Sequence, residues 1–220
     1  QSFIQSKVLL DRYLDRMKPK RIIIDVYPGL LASDGVESSL DLISNESKES
    51  SFWNLVCIQR DINIINVGIF SYLEKLIHPD YSLKEIQGKD KYIKGGYVEN
   101  NMSDVDTNIT RTIIAAKDIQ ISSFHHILDN LRKRNIPFIL VQTPITKAKL
   151  NSLENIGDFN KFFKKEGRYL NFNDIMNLDN SFFLDDHHLN QKGVNAYNLK
   201  LISELSKLHF FDSQKYIEND

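Results

Sequence analysis

Apolar residues recur at helical spacing from the start of the chain. Phe3, Ile4, Val8, Leu9, Tyr13, Leu14 and Met17 share a face, which predicts an amphipathic helix over residues 2–17. Lys18-Pro19-Lys20 stops it, because the residue before a proline is driven out of the helical region. Arg21-Ile22-Ile23-Ile24-Asp25-Val26-Tyr27 follows as a short, nearly unbroken β-branched run, the pattern of a strand buried on both faces of a parallel sheet, and Pro28-Gly29 closes it with a turn. The same unit returns later. A helix is predicted over 118–134, with Ile119, Ile121, Phe124, Ile127, Leu128 and Leu131 apolar, followed by a buried strand over 135–142 that ends at Thr143-Pro144. A third helix over about 146–166 leads to a short strand at Tyr169-Leu170-Asn171-Phe172. A final helix runs from about Gln191 to Leu208 on a stripe of Val194, Tyr197, Leu201, Ile202 and Leu205.

Alternating helices and buried strands imply an α/β fold, a mainly parallel sheet between two helix layers with right-handed crossovers. Residues 33–117 break the rhythm. They are polar at 44–51, glycine-containing at 88–96 and Asn/Asp-rich at 99–108, with one helix expected at about 52–77. So long a stretch reads as an insertion leaving the C-terminal edge of the first strand, where open α/β sheets bind ligands. It would serve as a lid or cap, or as a packing appendage or dimer surface.

Composition narrows the function classes. The 220 residues suit one domain, which could bury roughly 70% of its unfolded surface. With 28 basic against 29 acidic side chains, nothing favours non-specific nucleic-acid binding. The one cysteine, Cys57, allows neither an internal disulfide nor a thiolate zinc site, and is expected to be a small buried hydrophobe. No apolar run approaches the length of a membrane span. The chain opens at Gln1 directly inside a helical pattern, so a first strand, and any anchor or signal, are expected upstream of it.

Chemistry concentrates in Phe183-Leu184-Asp185-Asp186-His187-His188-Leu189-Asn190, between the last strand and the last helix. A histidine acts as a general base once a partner on one ring nitrogen fixes its tautomer and leaves the other nitrogen free to take a proton. In Asp-x-x-His spacing the pair is Asp185 with His188. Asp186 could serve His187 only as an immediate neighbour, and Asn190 can cap the final helix, with Gly193 near its start. The plain alternative is a capped helix start with solvated side chains. A divalent-metal reading uses Asp185, Asp186, His187 and His188, although adjacent residues rarely aim at one ion. No metal or other cofactor is expected on this reading, and His125, His126 and His78 are taken as structural.

The framework resembles the SGNH (GDSL-like) hydrolase superfamily, in particular its extracytoplasmic bacterial branch related to polysaccharide O-acetylation proteins. The residues that carry the resemblance are Lys18-Pro19 before Arg21–Asp25, Val141-Gln142-Thr143-Pro144, and Asp185–His188 with Leu189-Asn190-Gln191-Lys192-Gly193. It implies a single SGNH-like domain over 1–220 without its first strand, with 33–117 inserted. It also implies a serine esterase or O-acyltransferase acting on a small-molecule or glycan ester at the cell envelope, with His188 as base and Asp185 orienting it. Two features depart from the family. Its Gly-Asp-Ser-like nucleophile has no counterpart here, Ser2 being too near the start to follow a strand, so the serine is expected upstream. The family's Gly-x-Asn-Asp loop is replaced by Tyr27-Pro28-Gly29-Leu30, where Gly29 would offer the oxyanion a backbone N–H without a side-chain amide. Those departures leave a second expectation open, a non-catalytic carbohydrate-binding or scaffold module. Oligomeric state is not readable from this pattern.

Overall fold

A computed structural model describes residues 2–46, 50–78, 91–93, 97–99, 102–106 and 108–211. The described residues are α/β, mainly helical, with a small three-stranded parallel sheet. It divides into two compact units. Unit 1 comprises 1–22, 27–86 and 115–136; unit 2 comprises 23–26, 87–114 and 137–220. The stretch 33–117 is therefore shared between the units, and its polar run at 44–51, glycine-containing run at 88–96 and Asn/Asp-rich run at 99–108 lie partly outside the described residues.

Unit 1 is helical. It contains α1 (Phe3–Met17), α2 (Gly29–Ala32), α3 (Val36–Glu46), α4 (Ser50–Gln59), α5 (Ile62–Ile77) and α6 (Asp118–Lys133). The core gathers Ile4, Val8, Ile43, Phe52, Leu55 and Ile64, and Phe3 stacks tilted against Phe124 at 4.9 Å between ring centroids. Two buried glutamines tie the segment ends together. Gln5 Nε2 donates to the Gly35 carbonyl at 2.6 Å, and Gln120 Nε2 donates to the Ser33 carbonyl at 2.9 Å. Gly35 sits at φ 73°, where a Cβ would also come within 2.7 Å of Ser2 Oγ, so both its backbone and its surroundings require glycine.

The single helix expected at about 52–77 is two. Arg60 adopts a left-handed φ of 51° that no helix continues through, and Asp61 starts the next one by accepting the N–H groups of Asn63 (2.8 Å) and Ile64 (3.3 Å). Cys57 is exposed on α4, contrary to the buried position expected of it, because the core-facing positions there are taken by Phe52 and Leu55.

Unit 2 holds the sheet, ordered β1 (Ile22–Asp25), β4 (Phe138–Gln142), β5 (Tyr169–Asn171), and a separate antiparallel pair of strands, β2 (Lys91–Ile93) and β3 (Tyr97–Glu99), that the periodicity gives no sign of. The central strand β4 is buried along nearly its whole length, as its sequence predicts. β1 is not. As the edge strand it alternates half-buried and exposed positions, with Ile23 42% exposed, so its apolar run marks an edge rather than a doubly covered strand. The expected helix at 146–166 is α7 (Lys147–Ser152) and α8 (Ile156–Glu166), separated where Leu153 is extended and paired with Thr112. After β5 come α9 (Phe172–Ile175), a 3-10 turn (Asn180–Phe182) and α10 (Gln191–Lys207). Ile139, Val141, Phe172, Leu205 and Phe210 form the core against which Tyr197 and Leu201 pack, whereas Ile202 faces outward on α10, against the stripe assigned to it. Among the described residues no helix is long and apolar enough to cross a membrane.

Candidate active site

The segment 183–190 is a closed loop in unit 2. Phe183, fully buried, bridges antiparallel to Leu189, and the Leu184 N–H donates to the His188 carbonyl at 2.8 Å, so the two ends of the Asp-Asp-His-His run are pinned together. The turn is held from outside as well. Leu184 O accepts the Asp104 N–H (2.6 Å), while Asp186 O accepts both the N–H (3.1 Å) and the hydroxyl (2.9 Å) of Thr146, the residue that caps α7. Asn190 completes the anchoring. Its side-chain oxygen accepts the Gly193 N–H (3.1 Å) to cap α10, and its Nδ2 donates to the carbonyls of Ser181 (2.9 Å) and Phe183 (3.2 Å). Replacing Asn190 by Ala removes a cap worth about 1 kcal/mol and leaves two carbonyls without their donor; a loss of about 2 kcal/mol is expected in urea unfolding. A loss under a few tenths would mean that the loop is held without it.

Within this frame the structure brings Asp185 and His188 together as the spacing predicts. Asp185 Oδ1 accepts the backbone N–H groups of His187 (2.9 Å) and His188 (2.7 Å), and Asp185 Oδ2 meets His188 Nδ1 at 2.8 Å. A carboxylate held by two main-chain donors cannot swing away from the ring, so it fixes the tautomer with the proton on Nδ1. That leaves Nε2 of a ring 61% exposed to exchange a proton with a bound group. Desolvation is the largest single influence on Asp185 and acts upward. The His188 ring and the two N–H donors together outweigh it, and the carboxyl lies below its ordinary value of 3.8.

A depressed carboxyl stabilises the folded state above the unfolded pKa and loses that contribution as pH falls through the folded pKa. The melting temperature of Asp185→Asn should therefore lie below that of the parent at neutral pH, and the gap should close as pH drops from about 3.8 downward. A gap independent of pH would show that ionised Asp185 does not support the loop.

Beside this pair stands a second one that the spacing does not single out. Asp186 does serve His187 as an immediate neighbour, its Oδ1 against His187 Nδ1, and Lys149 of α7 holds the other carboxylate oxygen at 3.0 Å. The two imidazoles lie 4.0 Å apart between centroids, tilted by 44°. Lys149 is a residue that sequence reading could not find, since it lies 36 positions before Asp185 and is brought to the loop on a helix whose start Thr146 ties to the Asp186 carbonyl.

The side chains of Asp185, His187 and His188 each offer one ligand atom, all within 4.8 Å of one another, and this donor set suits zinc. As the loop is folded, however, both Nδ1 atoms already face carboxylates and Asp185 Oδ1 is spent on the backbone. A metal held through either Nδ1 would have to displace these bonds, whereas proton transfer at His188 Nε2 displaces none.

The C-terminal ends of β1 and β4 add polar groups in the same unit. Thr143 N–H donates to Asp25 Oδ1 at 3.2 Å. Asp25 keeps one side open to solvent, yet the protein packed around it disfavours the ionised form and raises its carboxyl despite the Thr143 contacts. Burial likewise raises the Tyr197 hydroxyl to about 12. Gly29 is the first residue of α2 in unit 1, where a Cβ would strike the Tyr27 ring at 2.4 Å. Its assignment to the oxyanion rests on the resemblance alone. Ser2 is buried at the start of α1, its N–H donating to Gln5 Oε1 at 3.1 Å. His126 contacts Asp11 at 3.1 Å on the surface of unit 1, in keeping with a structural role, and His78 ends α5.

No protein-family model, curated protein or solved structure matches the chain.

Proposed function

We propose that the protein is a serine-type esterase or O-acyltransferase acting on an acylated carbohydrate or a similar ester, on an SGNH-like three-layer α/β/α framework. The observation that carries this reading is the 2.8 Å contact between His188 Nδ1 and an Asp185 carboxylate locked by two backbone N–H groups. That is the arrangement a general base requires on the nitrogen opposite the reacting one.

In the proposed cycle a serine from residues outside this chain attacks the acyl carbon while its hydroxyl proton passes to His188 Nε2. Asp185 stabilises the imidazolium that results. The imidazolium returns the proton to the departing alkoxide, leaving an acyl-serine, and the acyl group then passes to water or to an acceptor hydroxyl whose proton His188 takes up and returns to the released serine oxygen. The resemblance further proposes a place at the cell envelope, with any membrane anchor lying outside this chain.

The test uses the full gene product with p-nitrophenyl acetate and with acetylated glycans, alongside a fluorophosphonate probe whose adduct is located by mass spectrometry. The expected result is acetate release from both substrates and a single labelled serine. Absence of both turnover and labelling would overturn the enzymatic reading in favour of a carbohydrate-binding or scaffold module, the second reading that the Tyr27-Pro28-Gly29-Leu30 loop supports.

A further inference from the structure

Helix α5 (Ile62–Ile77) has two faces of different fate. Ile64, Gly68 and Ser71 are buried, and Gly68 lies so close to Ile43 of α3 and Trp53 of α4 that a Cβ would come within 3.1 Å of each. The other face is apolar too, and it is bare. Ile62 is 64% exposed and Ile77 70%, and between them Ile69, Phe70, Leu73 and Leu76 are exposed as well. Each such side chain is stabilised by leaving water, so a water-facing surface does not ordinarily collect six on one stripe.

The spacing of the stripe says what fits it. Ile62, Asn66, Ile69, Leu73 and Leu76 follow one another at alternating steps of four and three, the seam of a two-helix coiled coil, with Phe70 and Ile77 flanking it. Asn66, also exposed, is the lone polar residue of the seam and takes an a position. There a single asparagine fixes register by meeting its own copy across a parallel pair. We infer that this face of α5 is the interface of a homodimer, in which two α5 helices lie side by side and parallel with Asn66 against Asn66.

Three further observations favour a second copy over other occupants. The stripe carries no charge, so it is complementary to itself. Its six apolar side chains expose on the order of 700 Å², close to the roughly 800 Å² per partner of a standard interface. An interfacial lipid-binding helix needs a rim of basic residues, whereas α5 has only Lys75, whose ammonium is held by the Ser44 (3.1 Å) and Asn45 carbonyls. Ile43 of α3 and Trp53 of α4 pack on the opposite side of the helix, and an interface made of the same face on both copies closes at two.

The experiment is analytical ultracentrifugation of the chain at micromolar concentration. A species of twice the 25.6 kDa chain mass is expected. Leu73→Asp, a surface change that should leave the circular dichroism spectrum intact, is expected to weaken association on the order of 100-fold. Asn66→Cys in a Cys57→Ser background is expected to form a disulfide-linked dimer on mild oxidation, as only the parallel register brings the two thiols together. A monomeric parent, or a dimer whose mass Leu73→Asp leaves unchanged, overturns the inference. So does a parent that binds neutral phospholipid vesicles through Leu73 while remaining monomeric. A dimer sensitive to Leu73→Asp but not crosslinked through residue 66 overturns the parallel arrangement.

Discussion

Replacing His188 by Ala is expected to lower kcat/KM for p-nitrophenyl acetate by about 10³-fold or more, the order of what a positioned base supplies to acyl transfer. That factor corresponds to about 4 kcal/mol of transition-state stabilisation. The effect should fall on kcat, since His188 Nε2 acts on a proton that moves only as the bond forms. Asp185→Asn should slow turnover by a comparable amount for a different reason. An amide in that position can present its NH₂ to Nδ1 and so favour the tautomer that carries its proton on Nε2, the wrong nitrogen for a base. The control is His187→Ala, which removes the neighbouring ring and the Asp186 contact but leaves the 2.8 Å Asp185–His188 contact in place, and should change kcat by less than about 10-fold. Activity unchanged in His188→Ala, or lost equally in His187→Ala, would remove the assignment of the base.

Gly193→Ala is expected to be the most destabilising single-methyl change in the site region, at about 3 kcal/mol or more in chemical denaturation. The added Cβ would lie 2.1 Å from the Phe182 carbonyl oxygen and 3.1 Å from Leu189 Cβ. The first obstacle is backbone and cannot rotate aside. Relief requires α10 to move away from the 3-10 turn, which would strain the Asn190 cap and with it the loop holding Asp185 and His188. The variant should therefore lose activity along with stability, whereas Asn190→Ala weakens the anchor without adding bulk. Unaltered unfolding of Gly193→Ala would mean that α10 does not sit against the turn as described.

The sequence determined the parts of this protein that depend on near neighbours. α1, α6 and α10 follow from 3.6-residue periodicity and from stop signals such as Lys18-Pro19. The Asp185–His188 pair is equally local: a carboxylate three residues before an imidazole in a turn has little else within reach, and the bond is there at 2.8 Å. Burial of β4 also showed through, because a central strand covered on both faces has nowhere to put a polar side chain.

Tertiary structure decided whatever depends on distant residues. β1 carries the same kind of apolar run as β4, yet lies at the edge of the sheet, since strand order is a property of the whole pairing pattern. Arg60 splits the single helix expected at about 52–77 into α4 and α5 through one left-handed residue. Lys149 and Thr146 joined the site by long-range contacts with Asp186. The outward face of α5 was the least legible feature. Periodicity shows that a helix is apolar on more than one side, but only packing tells which side the chain's own core has already covered.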